Sequence, residues 1–427
     1  MTVGMGMGVR RLLLAIAVAL VGGAGVVTGV SVEDGDGDGV AEILAPRPPR
    51  VSLSYTPAQG SAPISPTEQI KVTATDGELR EVALTPSGGS AGAPSGGSAG
   101  TPSGGAPAGT PSGGAAAGTP VRGTLAPDRR SWSPAEPLRY GTTYTWSGTA
   151  ADAQGKTVPL TGTVTTVKPS KLVRGTLNIG DGRTVGVATP VQLQFSGHVT
   201  DRAAVERALT VTASVPTEGS WGWLQDESGG SRVHWRTKEY WKPGTTVTVS
   251  AKLFGVSYGA GAYGATDLST TFTIGRAQVT KADVTSHQLV VIRDGKQVAS
   301  YPASYGLDSD PNRNTRSGVH VITEKFTDKR MVSQQYGYDV MEKWAVRMSN
   351  NGEFIHANPA TTGVQGSTNV SHGCVNLSTA DAKAYYDSAM YGDPVEVSGS
   401  GVKLSVRDGD IWVWTMDWAA WQRLSSL

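Results

Sequence analysis

Cysteine is almost missing from this chain: 427 residues contain one, Cys374. A single thiol excludes an internal disulfide, so it serves chemistry, an intermolecular bridge, or nothing. Charge of one sign is not in excess either, with 37 Lys and Arg against 36 Asp and Glu. That balance excludes the cationic surface that phosphate-backbone binding needs, and nucleic acid with it. Phenylalanine is scarce, no helical or solenoid repeat recurs, and neither Cys-x-x-Cys nor His-Glu-x-x-His occurs, so no metal-binding motif is present. What is present is a glycine-rich globular composition, long enough for two to four domains.

Arg10-Arg11 precede an uncharged, mostly apolar stretch over residues 12–32, a positive n-region and a hydrophobic segment about long enough to span a bilayer. The pattern predicts export, with residues 1–32 as a cleaved signal peptide or a retained membrane anchor. No cysteine lies near it, which excludes a lipid-modified N-terminus. Residues 33–50, opening on an acidic glycine-rich run, are expected to be a solvated linker.

From residue 51 to 167, short β-type runs such as Ile70-Lys71-Val72-Thr73-Ala74 and Thr142-Thr143-Tyr144-Thr145-Trp146 alternate with turns, which predicts a β-sandwich. Residues 86–120 interrupt it: Pro-Ser-Gly-Gly recurs at Pro86, Pro94, Pro102 and Pro111 among small residues only. Such a stretch buries too little apolar area to offset its ordering entropy, so it is expected to be a disordered insert within the sandwich, with a linker between two modules as the alternative. A second sandwich is predicted over 168–276, its Trp221, Trp223, Trp235 and Trp241 read as core. Residues 277–398 form a third unit. It opens on the hairpin pattern Gln288-Leu289-Val290-Val291-Ile292, turn Arg293-Asp294-Gly295-Lys296, Gln297-Val298-Ala299-Ser300-Tyr301, and holds one helix after Ser378 as N-cap. Residues 399–427, rich in tryptophan, are expected to pack back onto another domain.

Chemistry concentrates in Ser371-His372-Gly373-Cys374-Val375-Asn376, with His356 upstream at the end of a strand-like run. A thiol attacks a carbonyl only as thiolate, and a neighbouring histidine supplies both a base and a positive charge. His372 is close in sequence and suits shaping the loop; His356 can approach from the side and is the preferred base. Gly373 leaves backbone N–H groups, that of Cys374 included, free to face a developing oxyanion. The alternatives are weaker. Zinc on His356, His372 and Cys374 lacks a ligand motif, papain-like order puts the cysteine first, and a sortase-like arginine is missing, since Arg407 is the nearest after Cys374. A buried, inert cysteine stays open.

The run from His356 to Ser371-His372-Gly373-Cys374-Val375-Asn376 resembles the signature of the L,D-transpeptidases, the YkuD-domain family. The order of domains is similar to that family's membrane-anchored members, so the likeness covers nearly all of the chain after the N-terminal segment except the insert. It implies a mainly β protein: two immunoglobulin-like sandwiches, a YkuD catalytic domain and a docked tail. It also implies a cysteine acyltransferase of peptidoglycan. Cys374 would attack a donor tetrapeptide stem, expel D-alanine, and pass the acyl group to the amine of a second stem as a 3→3 cross-link. His356 would be the general base, with His372 and Gly373 in the catalytic loop. Tyr338 matches the lid tyrosine, and Ser371, Asn376 and Trp344 join the substrate-binding candidates. No cofactor is implied; carbapenems would be covalent inhibitors. Ala357 and Ala360 stand where relatives commonly carry Ser and an aromatic residue, and Ala357 can still orient the histidine through its backbone carbonyl. An L,D-carboxypeptidase and a non-catalytic wall-binding stalk are the rival functions.

Overall fold

The computed structural model describes residues 50–87, 118–406 and 411–427. The apolar segment 12–32, the acidic linker through residue 49 and residues 88–117 of the insert lie outside the described residues. Among those described, no helix is long and apolar enough to cross a membrane.

Alternation of apolar and polar residues gives each strand one face to bury, and two such faces closed on each other make the first sandwich. One sheet runs Ser52–Thr56, Lys71–Thr75, Ser131–Pro134, Gly123–Leu125; the other pairs Glu78–Ser87 with Thr143–Ala151, which also carries Thr157–Pro159 and Thr163–Thr165. Val72 and Trp132 from the first sheet meet Leu79, Leu84 and Tyr144 from the second in one core. The described chain breaks after Ser87 and resumes at Gly118, whose N–H donates to the Pro86 carbonyl (3.4 Å); the Val121 N–H donates to Leu84 (2.8 Å). Both flanks of the insert therefore lie against one strand of one sandwich.

The second sandwich holds a sheet of Gly175–Leu177, Val191–Phe195, Arg232–Thr237 and Gly219–Trp223. Against it packs a sheet of Thr184–Val185, Leu268–Ile274, Thr246–Ala251 and Leu209–Ala213. Its tryptophans, Trp221, Trp223, Trp235 and Trp241, are buried in this core. The short helix Arg202–Arg207 is capped by Asp201, whose side chain accepts from the Ala204 N–H at 3.0 Å. Tyr140 joins the two sandwiches: its hydroxyl donates to Gly264 O and accepts from Gly255 N–H, each at 2.8 Å, while its ring meets Phe254.

The third unit positions the chemistry. A five-stranded sheet runs Lys296–Pro302, Gln288–Arg293, Gln278–Asp283, Pro394–Ser398, Gly318–Val321. Its first hairpin turns on Asp294 and Gly295, both at positive φ (50° and 79°), the conformation a tight two-residue turn demands. A second sheet runs Glu324–Ser333, Tyr338–Arg347, Phe354–Ala357, Val375–Leu377; its last pair is parallel and sets His356 opposite Asn376. The helix Thr379–Ser388, capped by Ser378 through the Asp381 N–H, covers the shared core with Ala382 and Tyr385.

The C-terminal residues lie across the second sandwich and the third unit. Val413 and Trp421 are fully buried, in one cluster with Ala188 and Leu224 of the sandwich and Val321 of the third unit. The Trp421 indole N–H donates to Ser220 O, that of Trp414 to Ala188 O, each at 2.9 Å. Arg236 lies over the rings of Trp414, Trp418 and Trp421, 4.7 to 5.3 Å from their centroids.

Candidate active site

The parallel pair Phe354–Ala357 and Val375–Leu377 is the foundation of the site, because it brings the residues just before Val375 alongside His356. His356 is buried. Its Nδ1 donates to the Ala357 carbonyl at 2.9 Å, and since a carbonyl can only accept, Nδ1 carries the proton and Nε2 is left for another partner. The carboxylate of Glu342, from the neighbouring strand, stands 3.5 Å from the same Nδ1. Burial pushes the imidazolium down, but hydrogen bonds to Cys374 and Glu342, with their negative charges, outweigh it and raise His356 to about 10.

Cys374 is half-buried, and its Sγ lies 3.5 Å from the Gly352 carbonyl. Around it the loop is closed by its own polar groups. Ser371 Oγ donates to Cys374 O at 2.6 Å and accepts from the Gly373 N–H at 3.2 Å. Gly373 holds φ at +115°, a conformation L-residues rarely adopt, so glycine here is a backbone requirement. Asn376 is buried beside this loop, exchanging backbone hydrogen bonds with Ser304, and its side-chain oxygen has no partner among the described residues. His372 is exposed and sits between Tyr336 and Tyr338, 4.6 and 5.3 Å from their rings; partial desolvation and the nearby Arg313 charge push it down.

A cavity of about 530 Å³ opens next to the thiol, its walls including Arg316, Lys329, Tyr336, Tyr338, Gly352 and His372. Tyr338 begins the second strand of the long hairpin, and its hydroxyl is pushed up by burial and by the negative charge on Cys374. The structure thus brings Cys374, His356, His372, Gly373, Ser371, Asn376 and Tyr338 together. It does not bring Trp344: that ring packs on Tyr386, 5.4 Å away, and under Lys383, against the helix and outside the cavity wall. No group of three or more His, Cys, Asp and Glu is gathered to hold a metal ion among the described residues.

Residues 277–397 match the family model of the L,D-transpeptidase catalytic domain, and residues 114–257 that of a bacterial Ig domain, a match that starts within residues 88–117, outside the described residues. L,D-transpeptidase 5 of Mycobacterium tuberculosis is 48% identical over 382 residues, 89% of this chain and 78% of that one. The chain belongs to the L,D-transpeptidase family. L,D-transpeptidase 2 of the same species is 36% identical, over 70% of this chain and 74% of its own length. A solved L,D-transpeptidase in complex with imipenem is 33% identical at a TM-score of 0.46, over 54% of this chain and all of that one.

Several residues around this L,D-transpeptidase site carry no local sequence signal. Glu342 sits in a charged, half-exposed strand, and only the register of Tyr338–Arg347 against Phe354–Ala357 turns it to His356. Glu353 is buried, taking hydrogen bonds from Arg316 N (3.1 Å), Arg316 Nη1 (3.3 Å) and Ser349 Oγ (2.8 Å), and so anchors the turn that presents Gly352 O to the thiol. Arg313 holds the carbonyls of Val370 (2.6 Å) and Ser371 (3.2 Å). Glu342 and Arg313 belong to polar runs, and Glu353 opens the strand-like run Glu353-Phe354-Ile355 with nothing beside it to mark its carboxylate as buried.

Proposed function

We propose that this L,D-transpeptidase forms 3→3 cross-links in peptidoglycan through a thioester on Cys374. The observation that carries the reading is the pairing of one thiol with a buried histidine whose Nδ1 proton is fixed by the Ala357 carbonyl, beside a cavity lined by the thiol's neighbours Gly352 and His372. His356, charged at neutral pH, holds on Nε2 the proton that the thiol has given up, and Cys374 Sγ bonds the carbonyl carbon on the L-centre of diaminopimelate in a donor tetrapeptide stem. The tetrahedral intermediate collapses as the bond to D-alanine breaks, the leaving amine receiving the proton from His356. The side-chain amine of an acceptor stem then attacks the thioester. Its proton returns by way of His356, the new amide forms, and the thiolate leaves. Tyr338 and His372 shape the wall beside the thiol, and Ser371, Gly373 and Asn376 hold the nucleophile loop.

The same attack on a β-lactam carbonyl opens the ring and leaves carbapenems covalently on Cys374. The apolar segment 12–32 after Arg10-Arg11 places the catalytic domain outside the membrane, as an anchor or as a cleaved signal. In that arrangement residues 51–167, with the insert 86–120, and 168–276 act as the stalk, 277–398 as the catalytic domain and 399–427 as the tail that fastens them. Incubating the chain from residue 45 onward with a disaccharide tetrapeptide tests the function. Mass analysis is expected to find a dimer lighter than two stems by one D-alanine, and stem tripeptide alone would assign the enzyme to L,D-carboxypeptidation.

A further inference from the structure

The nucleophile loop is pinned from outside by one buried hydroxyl. Thr315 is fully buried. Its Oγ1 accepts from the Gly306 N–H at 2.9 Å and donates to the Gly373 carbonyl at 2.9 Å. A hydroxyl has one proton, and the backbone N–H can only donate, so the direction of both bonds is fixed. The close approach that makes this bridge depends on Gly306, where a Cβ would stand 1.8 Å from Arg313 O.

The consequence falls on the next amide. In a trans peptide the C=O and the following N–H point in opposite directions, so fixing the Gly373 carbonyl fixes the Cys374 N–H on the other side of the same plane. The Gly373 N–H is already occupied by Ser371 Oγ (3.2 Å), whereas the Cys374 N–H is paired with no acceptor among the described residues. We propose that Thr315 is a positioning residue for acyl transfer: its hydroxyl, by holding the Gly373 carbonyl, aims the unpaired Cys374 N–H at the oxyanion that forms when the thiol adds to a carbonyl. The inference rests on Cys374 being the acyl-transfer nucleophile. It separates two reactions of that sulfur. Acylation passes through a tetrahedral oxyanion and needs the aimed N–H. Alkylation by iodoacetamide displaces iodide at a saturated carbon, forms no oxyanion, and needs only the thiolate.

The test compares the wild type with Thr315→Val, which keeps the shape and removes the hydroxyl, and Thr315→Ser, which keeps the hydroxyl. Imipenem acylation and iodoacetamide alkylation of Cys374 are both timed by intact mass. The expected result for Thr315→Val is acylation slowed by about tenfold to 100-fold, less than the about 100- to 1000-fold loss for removing an oxyanion donor outright, because the N–H stays and only its aim is lost. Alkylation should stay within about twofold of wild type, since the thiol and its base are untouched. Thr315→Ser should restore acylation to within a few-fold. Where Thr315→Val does not fold, Thr315→Ala, which leaves room for a water between Gly306 and Gly373, is read by the same ratio of the two rates. A parallel loss of acylation and alkylation would mean that Thr315 merely supports the loop, and an unchanged ratio in the folded variants overturns the inference. Lack of an imipenem adduct on wild-type protein that alkylates normally overturns the acyl-transfer reading and this inference with it.

Discussion

In the proposed reaction His356 is the base and His372 is not, and the reason is where the two nitrogens of His356 face. Nδ1 is held by the Ala357 carbonyl and faced by Glu342, and the ring is otherwise buried, so its charged form depends on Cys374 and Glu342. His356 rises from 6.5 in the unfolded chain to about 10 in the folded one. A raised value means that the stability contributed by this pairing is fully present below pH 6.5 and is lost as pH climbs through about 10. Glu342→Gln removes one of the charges that raise it. The alkaline limb of Cys374 acylation against pH should therefore lie near 10 in the wild type and move to lower pH in Glu342→Gln. A limb that stays in place would show that Glu342 has no hold on the histidine. At this scale the sequence was informative about groups that must be a particular residue type: a lone thiol, its histidine, a glycine. It was silent on Thr315, Glu342 and Glu353, because a threonine or glutamate becomes special only through the partner the fold delivers to it.

Among the elements, the loop of residues 371–374 and the long hairpin Glu324–Ser333 with Tyr338–Arg347 decide access to the thiol. The loop depends on a conformation open to glycine. Gly373 at φ +115° has open space for a methyl group, the nearest atom being Glu353 Cγ at 3.6 Å, so Gly373→Ala would be resisted by backbone conformation and not by a clash. The cost of such a conformation for an L-residue is about 1–3 kcal/mol. The predicted outcome is a protein that folds with a lower denaturation midpoint and acylates Cys374 slowly because the loop relaxes; wild-type acylation in Gly373→Ala would contradict that account. The hairpin Gln288–Arg293 to Lys296–Pro302 was legible from its turn and alternation, and the helix Thr379–Ser388 from its cap. The strand Glu324–Ser333 was not. Glu-Lys-Phe-Thr-Asp-Lys-Arg-Met-Val-Ser has both faces in or near solvent, Val332 among them at 56% exposure, so no period of two separates a buried face from a wet one. Its existence comes from pairing with Tyr338–Arg347 and from cross-strand ion pairs such as Lys343 with Asp328 (2.7 Å).

Across the whole molecule, the tail adds to the direct bonds between the second sandwich and the third unit, such as Gly186 N–H to Tyr391 O (2.7 Å) and Ala188 N–H to Gly392 O (2.9 Å). The crowding of tryptophans near the end pointed to docking, but the surface it docks on was not readable, since Arg236, Gly222 and Ser220 come from strands of the second sandwich far back in the chain. Gly222 leaves the space that Trp421 fills, where a Cβ would stand 2.8 Å from the indole. Trp421→Ala empties a fully buried site and should cost about 3–5 kcal/mol, as other buried Trp truncations do. Chemical denaturation is expected to register that loss in the unit holding the second sandwich and the catalytic domain, while the first sandwich unfolds as before. A loss below about 1 kcal/mol, the size of an ordinary surface substitution, would mean the tail is only laid on the surface. Whether Cys374 carries the acyl group can be read from the mass of the protein itself. The chain from residue 45 onward is mixed with tetrapeptide-stem donor in the absence of an acceptor, quenched early and weighed intact, wild type beside Cys374→Ser. Wild-type protein is expected to carry an adduct of donor minus D-alanine, released by hydroxylamine as a thioester, and Cys374→Ser none. An adduct of the same mass forming on Cys374→Ser at the wild-type rate, or none forming on the wild type, would contradict a thioester on Cys374.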